Sequence, residues 1–410
     1  MNFRFLSGLV LILMLTSLKI THAENWPKWR GPNGDGTSSE INLPTKWDST
    51  TNVLWKVSIT GIGHASPIVW GDKLFTVTAK PETQEKLLLC YDTKNGNLLW
   101  KVDVLKTPFE NKHNDNSFAS GTPSTDGTYI YVSFLDGESV VVAAYDFTGK
   151  QIWMQRPGTF SSPHGYSCSP VIYKNKLIIN GDSKGDAFIA ALSCIDGHTI
   201  WKNTLNKPAH SFSTPIFREI AGRMQMIFCG NQGVSSYNPE DGSLYWFING
   251  PSEDFCSSPV YNEKTGLVLI SSAWPQRNLL AIKPDGNGDV SNSHIAWRST
   301  DGAYYVPSPV TIGDYLVTTM TNGYVHCIEA ATGKILWKQN LGKQYSSAVL
   351  INGLVYMPND EGVITVIKPG GSYQVIAINA IGETMFASPA ISNGRIYLKG
   401  AKHLFCIGMK

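Results

Sequence analysis

This 410-residue chain has few charges and no blocks of them. Charged residues are 16% of the whole, the formal net charge is +2, and no Lys/Arg cluster exceeds two residues. Such a chain has no general electrostatic pull on nucleic acid or an anionic membrane. No Cys-Cys pair, C-x-x-C or C-x-x-C-H occurs. That excludes a thioredoxin-like redox motif, a paired-cysteine metal knuckle and haem attachment. H-E-x-x-H, the P-loop and a G-x-G-x-x-G after a strand are missing too, and with them zincin, nucleotide and dinucleotide chemistry. No long stretch has helical periodicity.

What is present suits short strands. Gly numbers 38 and aromatic residues are 11% of the chain, a composition for many strands joined by tight turns. The seven cysteines are odd in number, so at least one is unpaired within the chain. Cys90, Cys194, Cys327 and Cys406 open "CYD", "CID", "CIE" and "CIG". They share one repeat position and read as small core residues, not as a disulfide framework.

The first residues read as an export signal. Arg4 precedes an apolar run from Leu6 to Leu18, and Thr21-His22-Ala23 offers a small residue for cleavage. The run is about a dozen residues, against the roughly twenty of a spanning helix. Cleavage after residue 23 would leave 32 basic and 32 acidic residues. No Cys stands near that point for lipid attachment. The chain divides into a signal (1–23), an extension (24–52) that packs on the main body, and a repeat region (53–410).

One pattern recurs through that region. A Ser-Pro step, an apolar strand pair and a third strand lead to a Gly-containing turn and then Trp, as in "VPSPVTIGDYLVTTMTNGYVHCIEAATGKILWKQNL". The prolines are Pro67, Pro123, Pro170, Pro215, Pro259, Pro309 and Pro389, with Ala348 in the remaining place. Gly96, Gly149, Gly197, Gly242 and Gly333 each precede a Trp by four positions. Glycine supplies the positive φ of a tight turn, and Trp offers a flat apolar surface to a neighbour. Trp55, Trp100, Trp153, Trp201, Trp246, Trp297 and Trp337 are the expected blade-packing residues. The eighth copy stops after three strands, and its missing strand is "VLWKVSI" at 53–59. The expected fold is an all-β, eight-bladed β-propeller of four-stranded antiparallel blades. Its N-terminal strand completes the C-terminal blade and removes free sheet edges.

The endings "CIEAATGKILW" and "CYDTKNGNLLW" resemble the pyrroloquinoline-quinone (PQQ) repeat, and the resemblance covers nearly all of 53–410. The opening "WPKWRGPNGDGTS" is similar to that of many secreted bacterial PQQ-like propellers. The family includes quinoprotein alcohol dehydrogenases and non-enzymatic scaffolds similar to BamB. The dehydrogenases hold PQQ with calcium over the channel, in many cases beside a Cys-Cys disulfide. Neither that pair nor any matching calcium-ligand motif stands in this sequence.

In such a ring, the connections entering each innermost strand gather on one face, where binding residues on a rigid scaffold usually sit. The candidate binding face is His64, His113, Asp115, His164, Tyr166, His210, Phe212, Asp254, Phe255, Tyr305, Gln344, Tyr345, Glu383 and Phe386. His64, His164 and His210 could converge on a metal. Backbone hydrogen bonds account for them equally, and no metal is assigned. Asp285, Asn287 and Asp289 in "DGNGD" resemble the start of a calcium loop, but Ala296 stands where its closing Glu belongs, and a polar turn is the simpler account. No catalytic residue is assigned. The expected function is an exported, non-catalytic scaffold of the cell envelope, periplasmic or secreted, needing no cofactor. Its partner would be an envelope or secreted protein or a polysaccharide, with no nucleic acid and no membrane span after signal cleavage. The alternative is a PQQ-dependent alcohol or sugar dehydrogenase using PQQ with calcium.

Overall fold

Each repeat contains two apolar runs followed by an alternating one. Lys176–Gly181 and Phe188–Ser193 are buried on both faces, whereas Thr199–Thr204 alternates. A middle strand in a stack of sheets has protein on both sides, but an outer strand meets water on one. The computed structural model describes residues 24–410 apart from 49, 251 and 273. The expected signal at 1–23 therefore lies outside the described residues. Among the described residues no helix is long and apolar enough to cross a membrane.

Eight antiparallel sheets form the blades of a propeller. Blade 1 is Ile68–Trp70, Lys73–Lys80, Glu85–Asp92 and Leu98–Lys106. Blades 2 to 7 span 124–159, 171–204, 216–249, 260–299, 310–340 and 349–380. Blade 8 has Ala390–Ser392, Arg395–Lys399 and His403–Gly408, with Val53–Ser58 as its outer strand. In that closure Trp55 pairs with Cys406 and Ser58 with His403, antiparallel. Two blades gain a fifth strand: Thr37–Ser38 runs parallel to the inner strand of blade 7, and Gly288–Asp289 parallel to the outer strand of blade 4.

The core lies between blades. Tyr131 and Val142 of blade 2 pack with Leu177, Ile179 and Phe188 of blade 3. In six blades an outer-strand tryptophan fastens the blade to the next. The indole N–H of Trp55 donates to the Thr93 carbonyl at 2.9 Å, Trp100 to Phe147 at 3.0 Å and Trp153 to Cys194 at 3.0 Å. Trp201, Trp297 and Trp337 repeat the pattern to Pro239, Ala330 and Gly370. The turn glycine of the next blade lies flat on that indole. A Cβ on Gly197 would stand 2.6 Å from the Trp153 ring, at φ +77°. Both the turn and the indole thus require glycine there. Trp246 differs: its N–H turns to Gln225 of its own blade at 2.8 Å, beside the fifth strand Gly288–Asp289. All seven cysteines are free, and all but Cys256 are buried.

The Ser-Pro step has its own role. From Thr214, each backbone amide donates to the hydroxyl of the equivalent residue one blade on. The series runs through Ser258, Ser308, Ser347, Ser388, Ser66 and Thr122 to Ser169, at 2.8 to 3.0 Å. Proline holds the residue before it extended, which keeps these amides and hydroxyls in register around the axis.

The extension crosses the opposite end of the channel. Trp26 pairs with Val69 of blade 1, the Pro27 carbonyl accepts from Thr125 of blade 2, and Arg218 of blade 4 reaches Asp35 at 2.6 Å. Arg30 is buried and donates to the carbonyls of Asp35 and of Pro309, at the edge of blade 6. Burial lowers its guanidinium pKa to about 10, with Asp35 opposing.

Candidate functional site: the central cavity

The inter-blade connections meet around a cavity of about 410 Å³ on the axis. Its walls include the hydroxyls of Ser66, Thr122, Ser169, Thr214, Ser347 and Ser388 from the inner ring. Trp29, in the extension that crosses the far end of the channel, also lines it.

Eight of the expected face residues line the cavity: His64, His113, Asp115, His164, Phe212, Tyr305, Tyr345 and Phe386. The Tyr345 hydroxyl donates to Asp115 Oδ2 at 2.6 Å, joining connections 230 residues apart. The Asp115 amide donates back to His113 Nδ1 at 3.2 Å. His64 stacks on Phe386 with centroids 4.5 Å apart, and Tyr345 tilts against the same ring at 5.7 Å. The His64 ring therefore faces Phe386 and not the other two histidines of its expected trio. Val306, on the wall, has φ +70°, a strained conformation for a β-branched residue.

The other face residues do not line the cavity. Phe255 is fully buried between blades, and Tyr166 packs edge-on to Phe160 at 5.2 Å. Gln344 is buried with both amide atoms unpaired. Glu383 clamps the closing hairpin, accepting from the Lys402 and His403 amides and 2.7 Å from His403 Nδ1. His210 and Asp254 sit behind His164, where a short parallel ladder pairs His210 with Asp254 and Ser211 with Phe255. The Asp182 carboxylate holds that segment through the Ala209 amide at 3.0 Å, and burial raises its pKa to about 6.

The calcium-loop residues turn to separate partners. Asn287 accepts from Arg223 at 2.8 Å, Asp289 accepts from the Ser291 amide at 3.0 Å, and Asp285 lies 3.6 Å from His294. They form a polar turn attached to blade 4. The string Gly181-Asp182-Ser183-Lys184-Gly185 has G-x-S-x-G spacing, but it is a strand-to-strand hairpin and no nucleophile elbow. Ser183 is fully buried, and its hydroxyl accepts from the Ser161 and Gly185 amides at 3.0 and 3.1 Å.

Sequence reasoning missed Trp29 and the hydroxyl ring as parts of the cavity. The ring had a signal in the Ser/Thr before each repeat's proline. Trp29 had none, because it stands outside the repeat.

Burial lowers the His64 pKa to about 4, with Lys399 and Lys112 acting in the same direction and Asp115 opposing. An unfolded histidine titrates near 6.5. Between the two values the unfolded chain binds more protons, so stability rises with pH there. The contribution is complete above about pH 6.5 and lost as pH falls toward 4. His326, also lowered to about 4 by burial, adds to the slope. His64→Phe is expected to flatten the fall of the urea midpoint across this window without abolishing it. Identical slopes in parent and variant would refute the assignment.

The family model described as "Outer membrane protein assembly factor BamB" matches residues 84–339 and 260–404. The chain belongs to this family. The BamB of Yersinia pestis is 22% identical over 301 residues, covering 68% of this chain and 71% of that protein. Among solved structures, BamB from Moraxella catarrhalis aligns with a TM-score of 0.61 at 14% identity, covering 87% of this chain and 99% of its own. The quinohemoprotein alcohol dehydrogenase of Comamonas testosteroni reaches 0.63 at 12% identity, covering 94% and 81%. These two likenesses show that the BamB-family fold is shared with a redox enzyme, and fold does not carry function.

Proposed function

We propose that this BamB-family propeller is a non-catalytic binding scaffold of the cell envelope, with a protein partner docked on the loop face over the cavity. The observation that carries this reading is the pairing of a rigid face with exposed apolar residues. Ile62 is 49% exposed and Trp274 60% exposed on the loop face. Ile62 at blade 1 and Trp274 at blade 5 stand on opposite sides of that face, so a partner meeting both would cover the cavity mouth. The relatives named as outer membrane assembly factors support the envelope setting.

The PQQ alternative meets a mismatch of charge. PQQ is a planar quinone with three carboxylates and needs cations, and its calcium needs clustered oxygen ligands. The cavity lining offers no Lys or Arg, and Asp115 is its one carboxylate. The nearby Lys112 ammonium is bonded to the His113 carbonyl at 3.1 Å. The size suits a small organic molecule; the donor set does not suit this one.

The test is site-specific photocrosslinking in the producing cell. A crosslinker at Ile62 or Trp274 is expected to give a discrete protein adduct, and one at Ile195, exposed on the opposite face, is expected to give none. Equal adducts at all three positions would sink the proposal. So would dye-linked alcohol or sugar oxidation by the purified protein with PQQ and calcium.

A further inference from the structure

His164, His210 and Asp254 each offer a ligand atom within 4.8 Å of the other two, the one such His/Cys/Asp/Glu group among the described residues. The three come from three successive inter-blade connections, the last two joined by a short ladder. His210 and Asp254 are held opposite each other by backbone pairing, with the His210 amide donating to the Glu253 carbonyl at 2.9 Å. His164 comes from the preceding connection, and the Asn116 amide fixes its carbonyl at 2.7 Å. The His164 and His210 rings meet at 5.9 Å, nearly perpendicular.

The tautomer of His210 follows from its partner. Asp254 Oδ1 lies 3.0 Å from His210 Nδ1, and the Asp254 side chain is buried. The carboxylate accepts a hydrogen bond from Nδ1–H, which leaves the lone pair on Nε2. That Nε2 is buried and has no hydrogen-bond partner. A His–Asp hydrogen bond that merely tied two loops together would explain Nδ1 and leave Nε2 unsatisfied, at a cost of about 1–3 kcal/mol. An imidazole oriented through Nδ1 by a carboxylate is the usual arrangement for a metal-binding Nε2. His403 and Glu383 make a similar pair at 2.7 Å, but no third donor joins them in such a group.

We propose that His164 and His210, the latter through Nε2, bind a divalent transition metal of the zinc class in the wall of the central cavity, with Asp254 orienting the His210 ring through Nδ1. Imidazole nitrogens are donors that such ions accept, and a carboxylate behind one of them raises its basicity. Zinc bond lengths place neighbouring donors about 3.3 Å apart in a tetrahedron. Metal binding would draw the donors together from their present separation of up to 4.8 Å. Because His164 lines the cavity, the open coordination positions face it. Water, or the carboxylate or nitrogen of a small ligand, would fill them. The site would give the cavity a positive charge that its own side chains lack. The inference does not depend on the scaffold reading, since a metal in the wall is compatible with any partner on the rim.

The test uses the untagged full-length mature protein, stripped with a chelator and titrated with Co²⁺ and then Zn²⁺. Calorimetry and the visible d–d bands of cobalt are the readouts. One equivalent of Co²⁺ should bind at micromolar affinity or tighter, with Zn²⁺ displacing it. His164→Ala and His210→Ala should each weaken binding about 100-fold or more, and Asp254→Asn about 10–100-fold. His64→Ala should leave affinity unchanged, because that ring is stacked on Phe386. Melting curves of the metal-free variants check folding; His164 lies on the cavity surface, so its variant stays informative if His210→Ala unfolds. Absence of saturable binding, or binding undiminished in His164→Ala, would overturn the site.

Discussion

Removing residues 401–410 is expected to abolish cooperative folding of the whole ring. The deleted segment contains His403–Gly408, which pairs with Arg395–Lys399 on one side and with the chain's first blade strand on the other. Leu404, Phe405, Cys406 and Ile407 are all buried. Burial of side chains of this kind stabilises by about 1.5–3 kcal/mol each. Four of them sum to about 6–12 kcal/mol, against a typical total stability of about 5–15 kcal/mol. The deletion also strands Val53–Ser58, frees the Glu383 carboxylate and opens two sheet edges. Calorimetry should record no sharp transition, and the near-ultraviolet dichroism of the packed tryptophans should be lost. A truncated protein melting within a few degrees of the parent would refute the ring-closure account. Leu404→Ala should show a smaller effect of the same sign, about 3 kcal/mol.

Arg30→Ala is expected to destabilise the protein by about 3 kcal/mol and to loosen the end of the cavity formed by the extension. The guanidinium is buried at the axis and satisfies two carbonyls, one on the extension and one at blade 6. Hydrogen bonds from a charged group contribute about 1.5–3 kcal/mol, and carbonyls left buried without a donor cost more. The extension would keep its Trp26 ladder and its Arg218–Asp35 pair. The variant should therefore fold while the Trp29 segment moves more freely. The checks are a fall in the urea midpoint and an increase in acrylamide quenching of indole fluorescence. Trp29→Phe in the same background should remove most of that increase. Unchanged stability and quenching would mean that Arg30 does not fasten the extension.

The fold was legible because its signals are local and repeated. A Gly-x-x-x-Trp spacing in five copies cannot arise from one chance turn, and the missing strand of blade 8 stood in plain view at residues 53–58. The structure explains the spacing physically: the indole of one blade lies on the turn glycine of the next, as Trp153 does on Gly197. Trp246 broke the pattern because an insertion within blade 5 supplies a fifth strand to blade 4. No repeat period encodes that insertion. The site was legible only in part. His64, His113, Asp115 and Tyr345, expected on the loop face, line the cavity because their connections reach the axis by topology alone. Position could not separate Tyr166 and Phe255, which turn into the core, from Phe212 and Phe386, which face the cavity.

By itself, then, the sequence determined the repeat, the number of blades, the closing strand and the face on which the connections gather. These follow from period, turn chemistry and apolar alternation, which are properties of neighbouring residues. The tertiary structure alone decided which histidines meet. His64 went to Phe386, while His164 joined His210 and Asp254, which are 46 and 90 positions further along the chain. It also decided that Trp29 and Arg30 lie across the axis. Such contacts depend on side-chain rotamers and on the angle between blades, and those are fixed only when the ring closes.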